Sequence, residues 1–168
     1  MLACNIATEH ILKHPRARVV LTRPIVAADE DMGYLPGDMD QKMEPWTRPM
    51  YDIFEQSMTH NQMDRCISIE PLGYMRGRTF HHTLIIADEM QNSTPNQMKL
   101  LLTRIGEGTK IIVTGDLEQS DLEGDNGLEN LVYKMQCTEL DYIQHVEMGD
   151  DDIVRHPAVK EVLGILSK

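Results

Sequence analysis

Aromatic, cysteine and basic residues are all scarce in this chain, and each shortage removes a class of protein. Aromatics make up 5% of 168 residues, and Trp46, Tyr51 and Tyr74 stand too far apart in sequence to form a base-stacking platform. The three cysteines, Cys4, Cys66 and Cys137, are odd in number and widely spaced. That excludes a disulfide framework or a paired-cysteine zinc site and points to a reducing compartment, the cytoplasm. Lys and Arg number 16 against 27 Asp and Glu, a net charge of −11. Nonspecific nucleic-acid affinity comes from cations that neutralise phosphates, so a general coat protein is disfavoured, while local basic patches stay open. No apolar run approaches a bilayer span, the longest being five-residue segments at 83–87 and 110–114, so no membrane partner is expected. Met1-Leu2-Ala3-Cys4-Asn5 has no basic start, and Glu9 and His10 interrupt any apolar stretch, so no secretory signal is read. There is no internal repeat, low-complexity tract or Gly/Ser/Pro-rich linker. With 41% hydrophobic residues, the expectation is one domain over 1–168 with a real core.

What is present alternates between helical and strand-like patterns, the signature of a mostly parallel sheet joined by helices. Residues 1–13 carry Leu2, Ala3, Ile6, Ala7 and Ile11 at helical spacing. Arg18-Val19-Val20-Leu21-Thr22 reads as a short buried strand stopped by Arg23-Pro24. Residues 25–44, with Gly33, Pro36 and Gly37, read as an irregular surface loop, followed by a helix with Pro49 in its first turn and Met50, Ile53, Phe54 and Ser57 on one face. Ile67-Ser68-Ile69 and Thr83-Leu84-Ile85-Ile86-Ala87 are further strands. Thr94, Pro95 and Gln97 announce a helix as cap, first residue and capping-box partner, and that helix is expected to run through Ile105 and stop at Gly106. A strand over 110–114, a helix over about 128–136, a last strand over 142–146 and a final helix starting at Asp150-Asp151-Asp152 complete the pattern.

Two buried strands end in carboxylates, and in open parallel sheets ligands sit outside the carboxyl ends of strands. Asp88-Glu89 follows the first. Phosphoryl transfer needs one carboxylate for magnesium and a second to orient the attacking water, so adjacent acids at a strand exit suit it. Gly115-Asp116-Leu117-Glu118-Gln119 follows the second, and the Gln119 amide is of a type that hydrogen-bonds a terminal phosphate. Taken singly, the first pair reads better as an exposed strand end, and the second reads also as a common turn with Gln119 on the surface. Together, 28 residues apart, they point to a nucleotide-driven motor core.

Seven ordered segments carry a resemblance. Thr22-Arg23-Pro24, Tyr74-Met75-Arg76-Gly77-Arg78-Thr79, Asp88-Glu89-Met90-Gln91-Asn92, Thr94-Pro95-x-Gln97-Met98-Lys99, Leu102-Thr103-Arg104-Ile105-Gly106, Val113-Thr114-Gly115-Asp116 and Arg155-His156-Pro157 together resemble the PhoH-like family of P-loop ATPases, which share a core with superfamily 1 helicases. The resemblance implies a RecA-like α/β fold with a mostly parallel sheet flanked by helices, and ATP and Mg2+ as cofactors. It further implies ATP hydrolysis coupled to RNA binding, unwinding or metabolism, single-stranded RNA as polymer partner, and assembly into rings of identical chains. By matching positions, Asp88 would hold the metal, Glu89 would activate water, and Thr114, Asp116 and Gln119 would form the turn that meets the nucleotide. Arg155 would stabilise transition-state charge, in its own subunit or across an interface; as an alternative it pairs with Asp150 to Asp152. Thr22, Arg23, Arg76 and Arg78 would contact nucleic acid or nucleotide, while the plainer role for Arg76 and Arg78 is to anchor their loop to Glu70 or Asp88.

The family's Gly-x-x-Gly-x-Gly-Lys-Thr loop should precede a helix, yet no Gly-Lys-Thr or Gly-Lys-Ser occurs. Met1-Leu2-Ala3-Cys4-Asn5-Ile6-Ala7 resembles the stretch that follows that loop. An amino-terminally incomplete chain, lacking the first strand and the phosphate loop and weak or inactive by itself, is therefore expected. A different class of function, a non-catalytic acidic interaction or regulatory module derived from such an ATPase, fits the same absence. Three weaker features carry nothing further. His81-His82 lacks a third metal ligand, the segment from Asp121 has Asn126 and Val132 where a calcium loop needs Gly and Glu, and the twelve methionines suit core gaps.

Overall fold

In a computed structural model of the chain, the described residues are 1–24 and 39–149, with 39–44 described by backbone alone, together with Asp152, His156, Ala158, Val159, Val162 and Ile165. They divide into two compact units, Met1–Lys134 and Met135–Lys168.

The first unit is an all-parallel sheet with helices on both faces. Strands β1 (Arg18–Thr22), β2 (Ile67–Ile69), β3 (Thr83–Ala87) and β4 (Lys110–Val113) lie in the order β2-β1-β3-β4. Alternate side chains of a strand point to opposite faces, and the apolar residues of β1 and β3 split accordingly. Val19, Leu21, Leu84 and Ile86 join one cluster with Ala3, Cys4, Ala7, Met50, Phe54, Met58 and Met63. Those partners come from helices α1 (Leu2–Lys13), α2 (Met39–Phe54) and α3 (His60–Cys66) and the turn after α2. Val20, Ile85 and Ala87 join a second cluster with Leu72, Met75, Phe80, Met90, Met98 and Leu101, against which Leu128 and Leu131 pack. That face belongs to α4 (Pro95–Leu102), α5 (Gly127–Gln136) and a 3-10 turn at Leu72–Met75. Burial on both faces is why these strands read as continuous apolar runs. This is the parallel α/β arrangement expected of a RecA-like core.

Three expectations need correction. The helix expected to have Pro49 in its first turn begins at Met39 and carries both Pro45 and Pro49 inside it. Proline lacks the N–H that an interior helical residue donates, but Trp46, Met50 and Phe54 at four-residue spacing all face the first cluster, and this burial outweighs the lost bonds. The part of the expected loop at 25–38 lies outside the described residues. Helix α4 ends at Leu102 rather than Gly106. There Thr103 Oγ1 donates to the Lys99 carbonyl and Arg104 Nε to the Leu100 carbonyl. Ile105 then bridges Phe80, and Gly106 N–H donates to the Phe80 carbonyl at 2.8 Å. Residues 142–146 form no strand. Tyr142 is 98% and Val146 78% exposed, and β-prone residues without a neighbouring ladder or a covered face do not hold a strand. The final helix lies largely outside the described residues, although Ala158, Val159, Val162 and Ile165 are helical. Among the described residues, no helix is long and apolar enough to cross a membrane.

Candidate functional site

The sheet order fixes where a ligand would lie. From β1 the chain crosses to β2 on one side, and from β3 it crosses to β4 on the other. The carboxyl ends of β1 and β3 therefore flank the point where strand order reverses, the usual crevice of open α/β sheets. Thr22 pairs with Ala87, and Ala87 pairs with Val113. One residue further on, Asp88 N–H donates to the Thr22 carbonyl at 2.9 Å and Thr114 N–H donates to the Ala87 carbonyl at 2.8 Å. Asp88, Glu89 and Thr114 thus leave the sheet at a single rim.

Asp88 is half-buried, and its Oδ1 accepts the Thr114 hydroxyl at 2.5 Å. Glu89 is exposed and adopts the left-handed conformation, φ 54° and ψ 35°, which a side chain with a Cβ rarely visits without support. The support is visible. Asn92 N–H donates back to the Glu89 carbonyl at 3.0 Å, closing the Met90–Asn92 turn, and Gln91 Nε2 donates to Glu89 Oε2 at 2.6 Å. Asp116 spends both carboxylate oxygens on its own turn. Oδ1 accepts Glu118 N–H at 3.0 Å and Oδ2 accepts Gln119 Nε2 at 2.5 Å, so the Gln119 amide rests against Asp116. Helix α1 meets the same rim. The Cys4 thiol, in its first turn, is pushed above its ordinary range mainly by burial, with the amino-terminal ammonium pulling it down and the Asp88 charge adding to the rise.

Five of the expected site residues, Asp88, Glu89, Thr114, Asp116 and Gln119, are therefore brought together. Thr22 sits beside them but is fully buried, with an enclosed hydroxyl that has no hydrogen-bond partner; its side chain is not presented to a polymer. Arg23 is half-buried and stacks over Trp46 at 5.4 Å. Arg78 takes the anchoring role. It donates to Glu70 at 2.6 Å and lies over the Phe80 ring at 4.7 Å. Arg76 is exposed on the same connection, and Arg155 lies outside the described residues.

The family described as PhoH-like protein matches residues 1–167. The chain belongs to the PhoH-like family. It is 42% identical to a PhoH-like protein of Bacillus subtilis over 165 residues, 95% of this chain and 52% of that relative. It is 40% identical to a PhoH-like protein of Synechocystis over 169 residues, 96% of this chain and 51% of the relative. With Protein PhoH of Escherichia coli K12 it shares 38% identity over 166 residues, 94% of this chain and 46% of the relative. The chain thus spans about half the length of the curated relatives it matches.

On this PhoH-like chain, residue-by-residue reading passed over Gln91. Almost wholly buried at 1% exposure, Gln91 touches both halves of the site: Asp116 N–H donates to its Oε1 at 3.2 Å, and its Nε2 also reaches the Gln119 carbonyl at 3.4 Å. A glutamine within an acidic turn gives no compositional signal, and its position inside Asp88-Glu89-Met90-Gln91-Asn92 was the one available hint.

Proposed function

We propose that this chain carries the carboxylate side of an ATP-hydrolysing site. The observation that supports the reading most is the meeting of Asp88, Glu89, Thr114 and the 115–119 turn at the strand-order reversal. Among the described residues no three His, Cys, Asp or Glu side chains group to cage a metal. Magnesium bound through one or two carboxylates together with substrate phosphates needs no such cage, and a carboxylate with one oxygen held by Thr114 fits that mode. When bound, magnesium neutralises charge on the outer phosphates. Asp88 would hold it. Glu89 has Oε2 engaged by Gln91, so Oε1 would take the hydrogen bond, and then the proton, of the water that attacks the terminal phosphorus as the bond to the bridging oxygen breaks. Gln119 would leave Asp116 to meet the terminal phosphate. The sequence contains no Gly-Lys-Thr or Gly-Lys-Ser, so these residues supply the chemistry of hydrolysis rather than the bulk of nucleotide affinity.

The finer form of the proposal adds single-stranded RNA as the polymer that stimulates turnover. The exposed Arg76, on the connection that leaves β2, is the cation that supports it.

The test is steady-state ATP turnover by the full-length gene product, with and without Glu89→Gln. Loss of a positioned base costs about 10²–10⁴-fold in kcat, with nucleotide binding retained. Equal turnover in both proteins would remove Glu89 from catalysis, and no turnover in either would favour a non-catalytic module.

A further inference from the structure

Gln91 is buried beneath two exposed parts of the site and hydrogen-bonds to both. Its Nε2 donates to Glu89 Oε2 at 2.6 Å and to the Gln119 carbonyl at 3.4 Å, while its Oε1 accepts the Asp116 N–H at 3.2 Å. The orientation of the amide is settled by these partners. Two acceptors face one end and a donor faces the other, so a flipped amide would set its oxygen against a carboxylate and a carbonyl. Its backbone takes part as well, for Ser120 Oγ donates to the Gln91 carbonyl at 3.0 Å. The turn can come this close only because residue 115 is glycine. A Cβ there would stand 2.8 Å from Gln91 Oε1 and 3.1 Å from its backbone nitrogen.

Ser120 extends the chain of contacts. Asn126 Nδ2 donates to Ser120 Oγ at 3.1 Å, and Asn126 Oδ1 accepts the N–H groups of Leu128 and Glu129 at 2.9 and 3.1 Å, capping α5. The carboxylate of Glu89 and the turn that bears Gln119 are therefore joined through the buried Gln91 side chain, and the start of α5 is tied to the Gln91 backbone carbonyl through Ser120 and Asn126.

From this we infer that Gln91 is a positioning residue: it holds Glu89 in its left-handed, catalytically aimed conformation and ties that conformation to the 115–120 turn, so that displacement of Gln119 is felt at the carboxylate that activates water. The inference rests on the ATPase reading above. Gln91 is almost wholly buried and acts through its bond to Glu89.

The experiment measures kcat and KM for ATP on the full-length gene product for wild type, Gln91→Glu, Gln91→Asn, Glu89→Gln and the double variant Gln91→Asn/Glu89→Gln, with thermal unfolding as a folding control. Gln91→Glu keeps the size but replaces the donor to Glu89 by a second acceptor, and is expected to lower kcat at least as far as Gln91→Asn. Gln91→Asn keeps the amide but falls one methylene short, and is expected to lower kcat on the order of tenfold to a hundredfold with KM within about threefold. A residue that acts through Glu89 adds no further loss once Glu89 is replaced, so a double variant on the order of tenfold slower than Glu89→Gln alone, the result of a packing defect independent of Glu89, overturns the inference. If Gln91→Glu does not fold, Gln91→Asn decides: wild-type kcat sinks the inference. Loss of turnover in Glu89→Gln beside an indifferent Gln91 defeats only the role of Gln91, whereas wild-type turnover in Glu89→Gln defeats the ATPase reading and this inference with it.

Discussion

Thr114 donates its hydroxyl to Oδ1 of Asp88 across the β3–β4 junction, joining residues 26 apart in sequence. The bond occupies one carboxylate oxygen and fixes the direction of the other. Thr114→Val keeps the shape and the strand preference but removes the donor. It is expected to cost about 1 kcal/mol of stability, the usual net worth of a half-buried hydrogen bond. Because groups that orient a metal-binding carboxylate tune metal affinity by roughly 10–100-fold, it should also raise the magnesium concentration for half-maximal ATP turnover about tenfold, and Thr114→Ser should restore most of the loss. Superimposable magnesium titrations of wild type and Thr114→Val would show that Asp88 needs no such support.

Gly127 begins α5 where the chain passes the β3–α4 connection. Its N–H donates to the Ser93 carbonyl at 2.7 Å, and a Cβ would stand 2.6 Å from the Thr94 carbonyl oxygen and 2.9 Å from that of Ser93. These are backbone atoms with no rotamer to yield. Gly127→Ala is therefore expected to destabilise by about 1–3 kcal/mol, the range for forced overpacking, despite the better helix propensity of alanine. Thermal or denaturant unfolding checks it, and an unchanged or raised midpoint would mean that α5 shifts freely away from the 93–94 backbone.

The parts of this molecule that sequence reasoning reached are those in which local chemistry and fold agree. Val19 to Leu21 and Leu84 to Ile86 are buried on both sheet faces, so their apolar runs announce strands whatever surrounds them. Thr94-Pro95-x-Gln97 places helix α4 because cap, first residue and partner act within one turn. The end of α4 was hidden because it is set by Phe80, which receives Gly106 at long range, not by the glycine alone. Two prolines concealed the length of α2, since its Trp46, Met50 and Phe54 stripe is stabilised by tertiary burial. The carboxylates of Asp88 and Glu89 were legible as a pair at a strand exit. Gln91 was not, because its meaning lies in contacts with residues 25 to 28 positions away, which no local spacing records.

The α4 cap offers a prediction that separates stability from activity. Gln97 N–H donates to Thr94 Oγ1 at 3.3 Å, and Thr94 N–H donates to Gln97 Oε1 at 2.8 Å. Thr94→Ala removes the first of these and should cost about 1 kcal/mol, a fall in unfolding midpoint of roughly 2–4 °C for a chain of this size. The cap is not among the groups that converge on Glu89 and Asp88, so kcat and KM for ATP should stay within about twofold, consistent with the independence of sites without shared partners. A large kinetic effect without loss of stability would place the start of α4 in the catalytic machinery.

Cys4 supplies the pH-dependent test of the same rim. It is 2% exposed in the first turn of α1, and its thiol is raised above the ordinary value of 9.0 by burial first, with the amino-terminal ammonium opposing and the Asp88 charge adding to the rise. The folded chain therefore holds this proton at pH values where the unfolded chain has released it. Stability from the buried neutral thiol is whole below about pH 9 and is lost as pH climbs through the raised value. Unfolding midpoints of wild type should fall more steeply above that pH than those of Cys4→Ala. Since the thiolate is the reactive form, a thiol reagent at neutral pH should label exposed Cys137 well before Cys4. Asp88→Asn should speed labelling of Cys4 by removing the nearby negative charge while leaving Cys137 unaffected. Equal labelling of Cys4 and Cys137 in the folded protein would contradict the packing of α1 on the sheet, and indifference of Cys4 to Asp88→Asn would separate α1 from the rim where the carboxylates emerge.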